Sequence, residues 1–367
     1  MTDTLTSIQV ENLVVAGYEK IVKVHDPISG LKAIIALHNT TMGPALGGTR
    51  IYPYASEEAA LIDVLRLSKG MTYKAALAQV GLGGGKSVII ADPKAGGKTR
   101  QVLEAFADVV HSLQGSYICA EDVGCSVDDV DIIKERTPYV VGLKNDNSSG
   151  DPSIFTAWGT FIGMKATWDF LVGKDSLKGI RVVVQGLGAV GEKLVEWLFW
   201  ECAKVIVSDV DSQKVKKLVK KYQVESVDPN NVFDVDCDIF APCAMGGVIR
   251  ADVIPRLKCH VIAGCANNQL LELEDDLRLI RSGILYAPDF VINAGGLINV
   301  SFEIQKNGYN AKDAREAVAK IPERLRTIYQ IAKEKKIGTQ QAATILGDDL
   351  LEKKVGKRVE KPFFHEN

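Results

Sequence analysis

The sequence predicts an α/β fold of two domains, the second a doubly wound parallel sheet covered by helices on both faces. Three observations predict it. The length of 367 residues suits two domains at roughly 100–200 residues each. Short β-branched runs alternate with amphipathic helical ones, the rhythm of a parallel sheet. A polar stretch with Gly and Pro at 144–152 (KNDNSSGDP) interrupts that rhythm and marks a linker.

Residues 31–38 (LKAIIALH) read as a strand, and 56–69 as a helix with apolar residues at 59, 60, 61, 62, 64, 65 and 67. Residues 87–91 (SVIIA) form a strand that Asp92-Pro93 stops, and 99–113 a second helix. Beyond the linker, 180–185, 190–202 and 204–208 give strand, helix and strand. Short apolar strands follow at 238–241, 260–263 and 284–286. After Gly308 the chain is charged and helical, with a break expected at Pro322 inside 311–335. The aromatic tail Pro362-Phe363-Phe364 reads as a packing or disordered end rather than a cofactor contact.

Composition narrows the function. Hydrophobic residues at 46% and charged residues at 25% are ordinary for a soluble globular protein. Lys plus Arg number 44 against 46 Asp plus Glu, a net charge of -2 that argues against a nucleic-acid partner. No apolar run approaches the roughly 18 residues of a membrane span. The opening Met1-Thr2-Asp3-Thr4 lacks the basic and apolar regions of a signal peptide, so the expected setting is the cytoplasm. Seven scattered cysteines without C-x-x-C, and five histidines without H-E-x-x-H, point to no disulfide framework and no metal. The thiols read as small buried hydrophobes.

Gly186-Leu187-Gly188-Ala189-Val190-Gly191 is a G-x-G-x-x-G placed between a predicted strand and a predicted helix. That context is what the Rossmann dinucleotide fingerprint requires. Its first glycine makes the tight turn, its second admits the pyrophosphate, and its third lets helix and strand pack closely. The helix N-terminus then faces the phosphates. Asp209 ends the next strand, 23 residues after Gly186. A carboxylate there accepts a ribose hydroxyl and repels a 2′-phosphate, which favours NAD over NADP. The competing reading is a structural turn with a helix-capping aspartate.

The first half concentrates glycines and lysines: Gly43-Pro-Ala-Leu-Gly-Gly-Thr-Arg50, Lys69-Gly-Met-Thr-Tyr-Lys74 and Gly81-Leu-Gly-Gly-Gly-Lys86. A P-loop ending at Lys86-Ser87 would need glycine at 80, where Val80 stands, and Lys86 opens a β-run rather than a helix. The ATPase reading therefore fails. Glycines strip side chains from around Lys86, so a small substrate could approach its nitrogen closely. A lysine beside other cations in a closing cleft gives up its proton more easily and serves as a general base or acid. Lys74 could stay charged and bind a carboxylate. Against both stands the ordinary solvated surface lysine. In Ala120-Glu121-Asp122-Val123-Gly124 an acid follows a β-like run. It either projects into a cleft or caps a helix.

These residues resemble the amino-acid dehydrogenases that act on glutamate, leucine, phenylalanine and valine, and are nearest to the leucine-acting branch. The likeness runs from about Gly30 to Val300 and rests on GLKAIIALHNTTMGPALGGTR, KGMTYK, GGGKSVII, AEDVG, CDIFAPCA, ANNQL and APDFVINAGG. It implies two domains separated by a cleft. Residues 1–145 would form an α/β substrate-binding and oligomerisation domain with a mixed sheet, and 146–334 the NAD-binding Rossmann domain. A C-terminal helix near 335–355 would pack back on the first. The implied reaction is NAD-dependent oxidative deamination of an L-amino acid to a 2-oxo acid and ammonium, in a homo-oligomer, octamer or dimer.

In matching roles, Lys74 would hold the substrate carboxylate, Lys86 would activate water against an iminium, and Asp122 would relay protons to and from the amino group. Gly47 and Gly48 would line the pocket, and Asn293 would position substrate and nicotinamide. Thr156 would contact the carboxamide, and Asn267 and Asn268 would approach the cofactor ribose. Glutamate dehydrogenases carry lysine where this chain has Leu46 and serine where it has Val300. A glutamate carboxylate buried against Leu46 and Val300 would be unpaired. The apolar lining of Leu46, Ala120, Leu297 and Val300 suits a branched aliphatic side chain instead. Leu297, where valine is usual in that branch, adds bulk. One methylene discriminates by only about 1–3 kcal/mol, so leucine, isoleucine and valine are all expected substrates. Phenylalanine as substrate, or an NAD-binding sensor without chemistry, are the alternatives. Lys74, Lys86 and Asp122 together argue against the sensor.

Overall fold

The computed structural model describes residues 7–143 and 148–364. The opening tetrapeptide and residues 144–147 of the expected linker lie outside the described residues. The chain divides into two compact units, Met1–Asp151 with Val300–Ala311 and Asp349–Asn367, and Pro152–Asn299 with Lys312–Asp348.

The first unit contains β1 (Gln9–Leu13), β2 (Lys20–Asp26), β3 (Leu31–Asn39), β4 (Ala45–Tyr52), α1 (Glu57–Ala78), β5 (Gly83–Ile90), α2 (Arg100–Ser112), β6 (Tyr117–Ala120) and α3 (Val127–Lys134). Among the described residues its strands form one mixed sheet in the order β1-β2-β3-β5-β4-β6. The pairs along β1, β2, β3 and β5 are antiparallel, whereas β4 runs parallel to both β5 and β6. Successive side chains of a strand face opposite ways. Ile34, Ala36 and Val88 therefore meet Ala60 and Val64 of α1 on one face. Ala33, Ile35, Leu37 and Ile89 meet Phe106 and Val110 of α2 on the other. Burial on both faces explains the nearly unbroken apolar run at 31–38.

Two boundaries differ from expectation, and both shape the site. Helix α1 begins after the cap Ser56 but runs nine residues past Lys69, carrying Lys74 with it. Thr72 packs so tightly on β5 that a Cβ on Gly84 would lie 2.1 Å from its backbone nitrogen. That contact holds the helix together through Gly70. Strand β5 starts at Gly83, four residues before the expected start at Ser87, so that Gly83-Gly84-Gly85 belongs to it. Elsewhere in this unit, Glu303 is buried and accepts from the backbone N–H of Gly142 at 2.9 Å and of Ser149 at 2.8 Å. The aromatic tail packs: the Phe363 N–H donates to the Ile304 carbonyl at 3.1 Å, and Phe364 meets Tyr139 edge-on at 5.1 Å.

In order, the second unit begins with α4 (Pro152–Val172), β7 (Arg181–Gln185), α5 (Ala189–Trp200), β8 (Lys204–Ser208), α6 (Ser212–Tyr222), β9 (Glu225–Ser226) and β10 (Ile239–Pro242). It continues with β11 (Val261–Ile262), α7 (Glu274–Arg281), β12 (Leu285–Tyr286) and α8 (Asp289–Ile292). Helices α9 (Gly295–Ser301), α10 (Ala311–Val318), α11 (Ile321–Lys335) and α12 (Thr339–Glu352) complete the chain. The sheet, in the order β12-β11-β10-β7-β8-β9, is parallel throughout the described residues. Strand order reverses between β7 and β10, the doubly wound arrangement in which ligands bind at the reversal. Its core joins Val183, Ile206, Phe240, Ile262 and Tyr286. The break expected at Pro322 falls just before it, because proline occupies the first turn of α11, where its missing N–H costs nothing. Asp276 of α7 is buried and accepts from the Gln341 N–H at 3.1 Å, at the start of α12. No helix among the described residues is long and apolar enough to cross a membrane.

Candidate active site

Register builds the chemical half of the site on the α1 face of the first sheet. Leu46 pairs with Gly84 and Ile118, Gly48 with Ala120, and Arg50 with Val88. Parallel neighbours in register share a face. Leu46, Gly48, Arg50, Lys86 and Ala120 therefore lie on one side, under the helix that carries Lys74. Gly47 falls at an alternate position. A Cβ there would lie 1.7 Å from the Gly85 carbonyl oxygen, and its own carbonyl accepts from Tyr117 Oη at 2.7 Å.

Gly48 leaves an opening that Asp122 fills. A Cβ at Gly48 would lie 2.8 Å from Asp122 Cβ and 2.4 Å from the Glu121 carbonyl oxygen. Through that gap Asp122 reaches Lys86, whose Nζ stands 2.7 Å from Asp122 Oδ2. Lys86 is 6% exposed, so the pair is shielded from bulk water. Arg50 Nε donates to the same Oδ2 at 3.1 Å, while its Nη1 donates to Asp63 Oδ2 of α1 at 2.9 Å. Tyr54 Oη donates to that Asp63 oxygen at 2.6 Å. Burial alone would raise the Asp122 carboxyl, but the Lys86 ammonium and the Arg50 guanidinium outweigh it and hold the group below its usual range. The Lys86 ammonium thus stands against an anion, with a second cation, Arg50, on the far side of that carboxylate.

The second unit presents the dinucleotide fingerprint where the strand order reverses. Gly186 has φ 101°, and a Cβ on it would lie 2.6 Å from the Ala244 Cβ beyond β10. A Cβ on Gly191 would lie 2.0 Å from the Gly186 carbonyl oxygen, so only glycine seats α5 on the turn. Leu187 is buried, whereas Gly188 and Ala189 are exposed and Val190 half-buried. Gly188 opens α5 with no side-chain cap, and the space where its Cβ would sit is clear of other atoms. Asp209 Oδ2 accepts from the Leu187 N–H at 2.6 Å and Oδ1 from the Asp211 N–H at 2.8 Å. It therefore shapes the turn, and each oxygen keeps a lone pair for a hydroxyl.

Asn293 Nδ2 donates to Asn267 Oδ1 at 2.8 Å and to the Cys265 carbonyl at 3.1 Å, leaving its buried Oδ1 without a partner. Asn268, with φ 52°, continues that loop. Thr156 Oγ1 donates to the Pro152 carbonyl at 3.0 Å, and Gly296 has no room for a Cβ because Thr156 Oγ1 would be 2.7 Å away. Leu297 and Val300 lie one turn apart on α9, Leu297 grouped with the second unit and Val300 with the first. An uncapped helix N-terminus, a turn carboxylate and an orphaned buried acceptor suit a nicotinamide dinucleotide.

Comparison with known proteins bears on the whole chain. Residues 18–139 match the family model described as Glu/Leu/Phe/Val dehydrogenase, dimerisation domain, and residues 208–355 the model described as Glutamate/Leucine/Phenylalanine/Valine dehydrogenase. Leucine dehydrogenase of Geobacillus stearothermophilus is 48% identical over 336 residues, 91% of each chain. The chain belongs to the glutamate/leucine/phenylalanine/valine dehydrogenase family. Another member, phenylalanine dehydrogenase of Caldalkalibacillus thermarum, is 44% identical over 93% of each chain. The crystal structure of L-tryptophan dehydrogenase from Nostoc punctiforme superposes with a TM-score of 0.80 at 42% identity, covering 92% of this chain and 97% of that one.

Several residues around the Lys86–Asp122 pair carry no signal in the sequence. Arg50 stood inside the quoted Gly43 to Arg50 segment, but nothing local tied it to Asp122, which lies 72 residues away. Asp63 and Tyr54 carried no motif. Nor did the buried hydroxyl chain behind β5, where Tyr117 Oη donates to Ser87 Oγ at 2.9 Å and Ser87 Oγ to Thr49 Oγ1 at 2.9 Å. Only the alternation along β4, partly hidden by its glycines, places Arg50 on the face of Lys86.

Proposed function

We propose that this dehydrogenase catalyses the reversible, NAD-dependent oxidative deamination of branched-chain L-amino acids, leucine with valine and isoleucine, to 2-oxo acids and ammonium. The observation that carries the reading is the Lys86–Asp122 pair at 2.7 Å, on the same sheet face as Leu46 and Ala120. Lys74 binds the substrate carboxylate. Asp122, held ionised, takes a proton from the amino nitrogen. A nicotinamide held by Thr156 and Asn293 would supply the hydride acceptor for the substrate Cα. With Asp122 protonated, Lys86 passes its own proton to solvent and, as the amine, takes one from the water that attacks the iminium carbon. Asp122 then returns its proton to nitrogen, and the departing ammonia takes the hydroxyl proton and leaves as ammonium while the carbonyl forms. Both groups end the cycle as they began, Lys86 as ammonium and Asp122 as carboxylate.

Substrate and cofactor choice rest on the linings. Leu46 is 2% exposed and offers no charge to a side-chain carboxylate. Gly186, Leu187, Gly188, Ala189, Val190 and Gly191 would cradle the pyrophosphate. Asp209 would bind the adenosine ribose and disfavour a 2′-phosphate, while Thr156, Asn267, Asn268 and Asn293 would hold the nicotinamide side. Leu297 and Val300 would complete the apolar wall. The dimerisation domain matched at 18–139 supports assembly as a homo-oligomer. A cytoplasmic setting agrees with seven free cysteines.

The test is NADH formation across a panel of L-amino acids, repeated with NADP. Leucine, valine and isoleucine with NAD are expected to give the highest kcat/KM. A preference for phenylalanine or glutamate would overturn the substrate reading, and equal efficiency with NADP would overturn the role of Asp209.

A further inference from the structure

We infer that Arg50 is a positioning residue of the reaction: it shares the Asp122 carboxylate with Lys86, fixes that carboxylate under α1, and is itself held by Asp63. The inference rests on the catalytic reading of Lys86 and Asp122 given above.

Its basis is geometric. Two cations converge on one oxygen, Lys86 Nζ at 2.7 Å and Arg50 Nε at 3.1 Å from Asp122 Oδ2. The guanidinium continues to Asp63 at 2.9 Å, and Arg66 Nη2 lies 3.3 Å from the other Asp63 oxygen. Charges thus alternate in a row: Lys86, Asp122, Arg50, Asp63, Arg66. A planar guanidinium can span two carboxylates through separate nitrogens, which an ammonium cannot do in the same geometry. The opening at Gly48 admits Asp122, but beside the Val123 N–H a carboxylate held by Lys86 alone would have one charged anchor, and that anchor changes its protonation state in the proposed cycle. Arg50 is the anchor that does not change its protonation state.

The charges also set when Asp122 titrates. The charged and titratable groups around it are Lys86 of β5, Arg50 of β4, Glu121 beyond β6, Asp63, Arg66 and Lys74 of α1, and Tyr54 after β4. Behind Asp122 stands the Cys125 thiol, which burial pushes up and keeps protonated. The positive charge of Arg50 on its outer side makes Asp122 bind its proton less tightly. A negative charge behind that cation partly offsets the effect.

Arg50→Gln, Arg50→Lys and Asp63→Asn test this in the full-length enzyme through the pH profile of kcat/KM for leucine deamination. With Arg50→Gln, Asp122 binds its proton more tightly, so the acid limb moves up by about one pH unit. At the optimum, kcat falls by about tenfold or more while leucine KM changes little, since Lys74 still holds the carboxylate. Arg50→Lys keeps the charge and returns the limb to within a few tenths of a unit, with kcat only partly restored. Asp63→Asn removes the opposing anion and moves the limb the other way, by about half a unit. A folding defect alone would not give limb shifts of opposite sign, and thermal unfolding followed by circular dichroism, beside NADH binding, reports that both units of each variant are intact. An unmoved limb in Arg50→Gln that still binds NADH overturns the inference, as does a shift of the same sign in Asp63→Asn. Lys86→Ala and Asp122→Asn measured beside them separate the two claims. If those two variants turn over normally, the catalytic reading has failed. If they are inactive and Arg50→Gln keeps the wild-type limb, only the role of Arg50 falls.

Discussion

Replacing Gly48 with alanine asks whether the opening in β4 exists to admit Asp122. The added methyl would stand 2.4 Å from the Glu121 carbonyl oxygen and 2.8 Å from Asp122 Cβ. Ordinary contacts need about 3.4 Å or more, so the 121–122 backbone must retreat by about 1 Å. The Lys86–Asp122 contact of 2.7 Å and the Arg50–Asp122 contact of 3.1 Å have no slack to absorb that shift. A displacement of about 1 Å in a catalytic group costs on the order of 100-fold, or about 2.7 kcal/mol of transition-state stabilisation. Overpacking a tight junction should also cost about 1–3 kcal/mol of stability. The assay is steady-state NADH formation from leucine, with thermal unfolding and NADH binding measured on the same preparation. Gly48→Ala should lose kcat far more than it raises leucine KM. A folded variant with kcat within about threefold of wild type would show that the Lys86–Asp122 geometry is not what limits turnover.

Leu46→Lys places a buried cation beside the lining and should weaken leucine kcat/KM by about tenfold or more, with little gain for glutamate; unchanged leucine kinetics would show that Leu46 does not face the substrate. Gly338→Ala sets a methyl 1.9 Å from Asp276 Oδ2, against the carboxylate that meets the start of α12. It should destabilise the fold by about 1–3 kcal/mol in urea unfolding, and a neutral result would mean that α12 shifts freely. Asp129 accepts from Lys98 Nζ at 2.7 Å and from the Ser126 N–H at 2.6 Å. Although burial opposes ionisation, Lys98 and Ser126 hold its carboxyl below the usual range. A lowered folded value contributes stability above the unfolded carboxyl value of about 3.9 and loses it as pH falls through the folded one. Asp129→Asn should therefore cost about 1–3 kcal/mol at neutral pH, with the gap closing in acid below about pH 4; a gap that persisted there would assign the loss to packing.

What could be read from the chain follows from where its information is local. The second unit was largely legible because β7 and β8 are β-branched runs and β10, β11 and β12 short apolar ones near turn residues, whereas the exposed, polar β9 carries no such signal. Its fingerprint also lies within six consecutive positions, 186–191. The first unit was read less completely. Strand β4 hides its alternation behind Gly47 and Gly48, and β5 begins in a triple glycine that looks like a loop until Thr72 and Tyr117 are seen against it. Helix α1 passes through Gly70 because packing on β5 outweighs the local penalty of about 1 kcal/mol. Glycines mark Lys86 in the sequence, and Asp122 stands out as an acid after a β-like run. The link between them depends on the β5–α2–β6 crossover; Asp63 and Tyr54 lie within 13 residues of Arg50, but Arg50 reaches Asp122 only across 72 residues and two crossovers.

The most direct test of the account is single-turnover and steady-state NADH formation from leucine by Lys86→Ala, beside wild type, with NADH affinity measured in both. The account predicts leucine-dependent NADH formation by the wild type. It also predicts a loss of at least about 100-fold in the variant, with NADH affinity unchanged because the fingerprint at 186–191 lies in the other unit. A variant that binds NADH and deaminates leucine at the wild-type rate would contradict it.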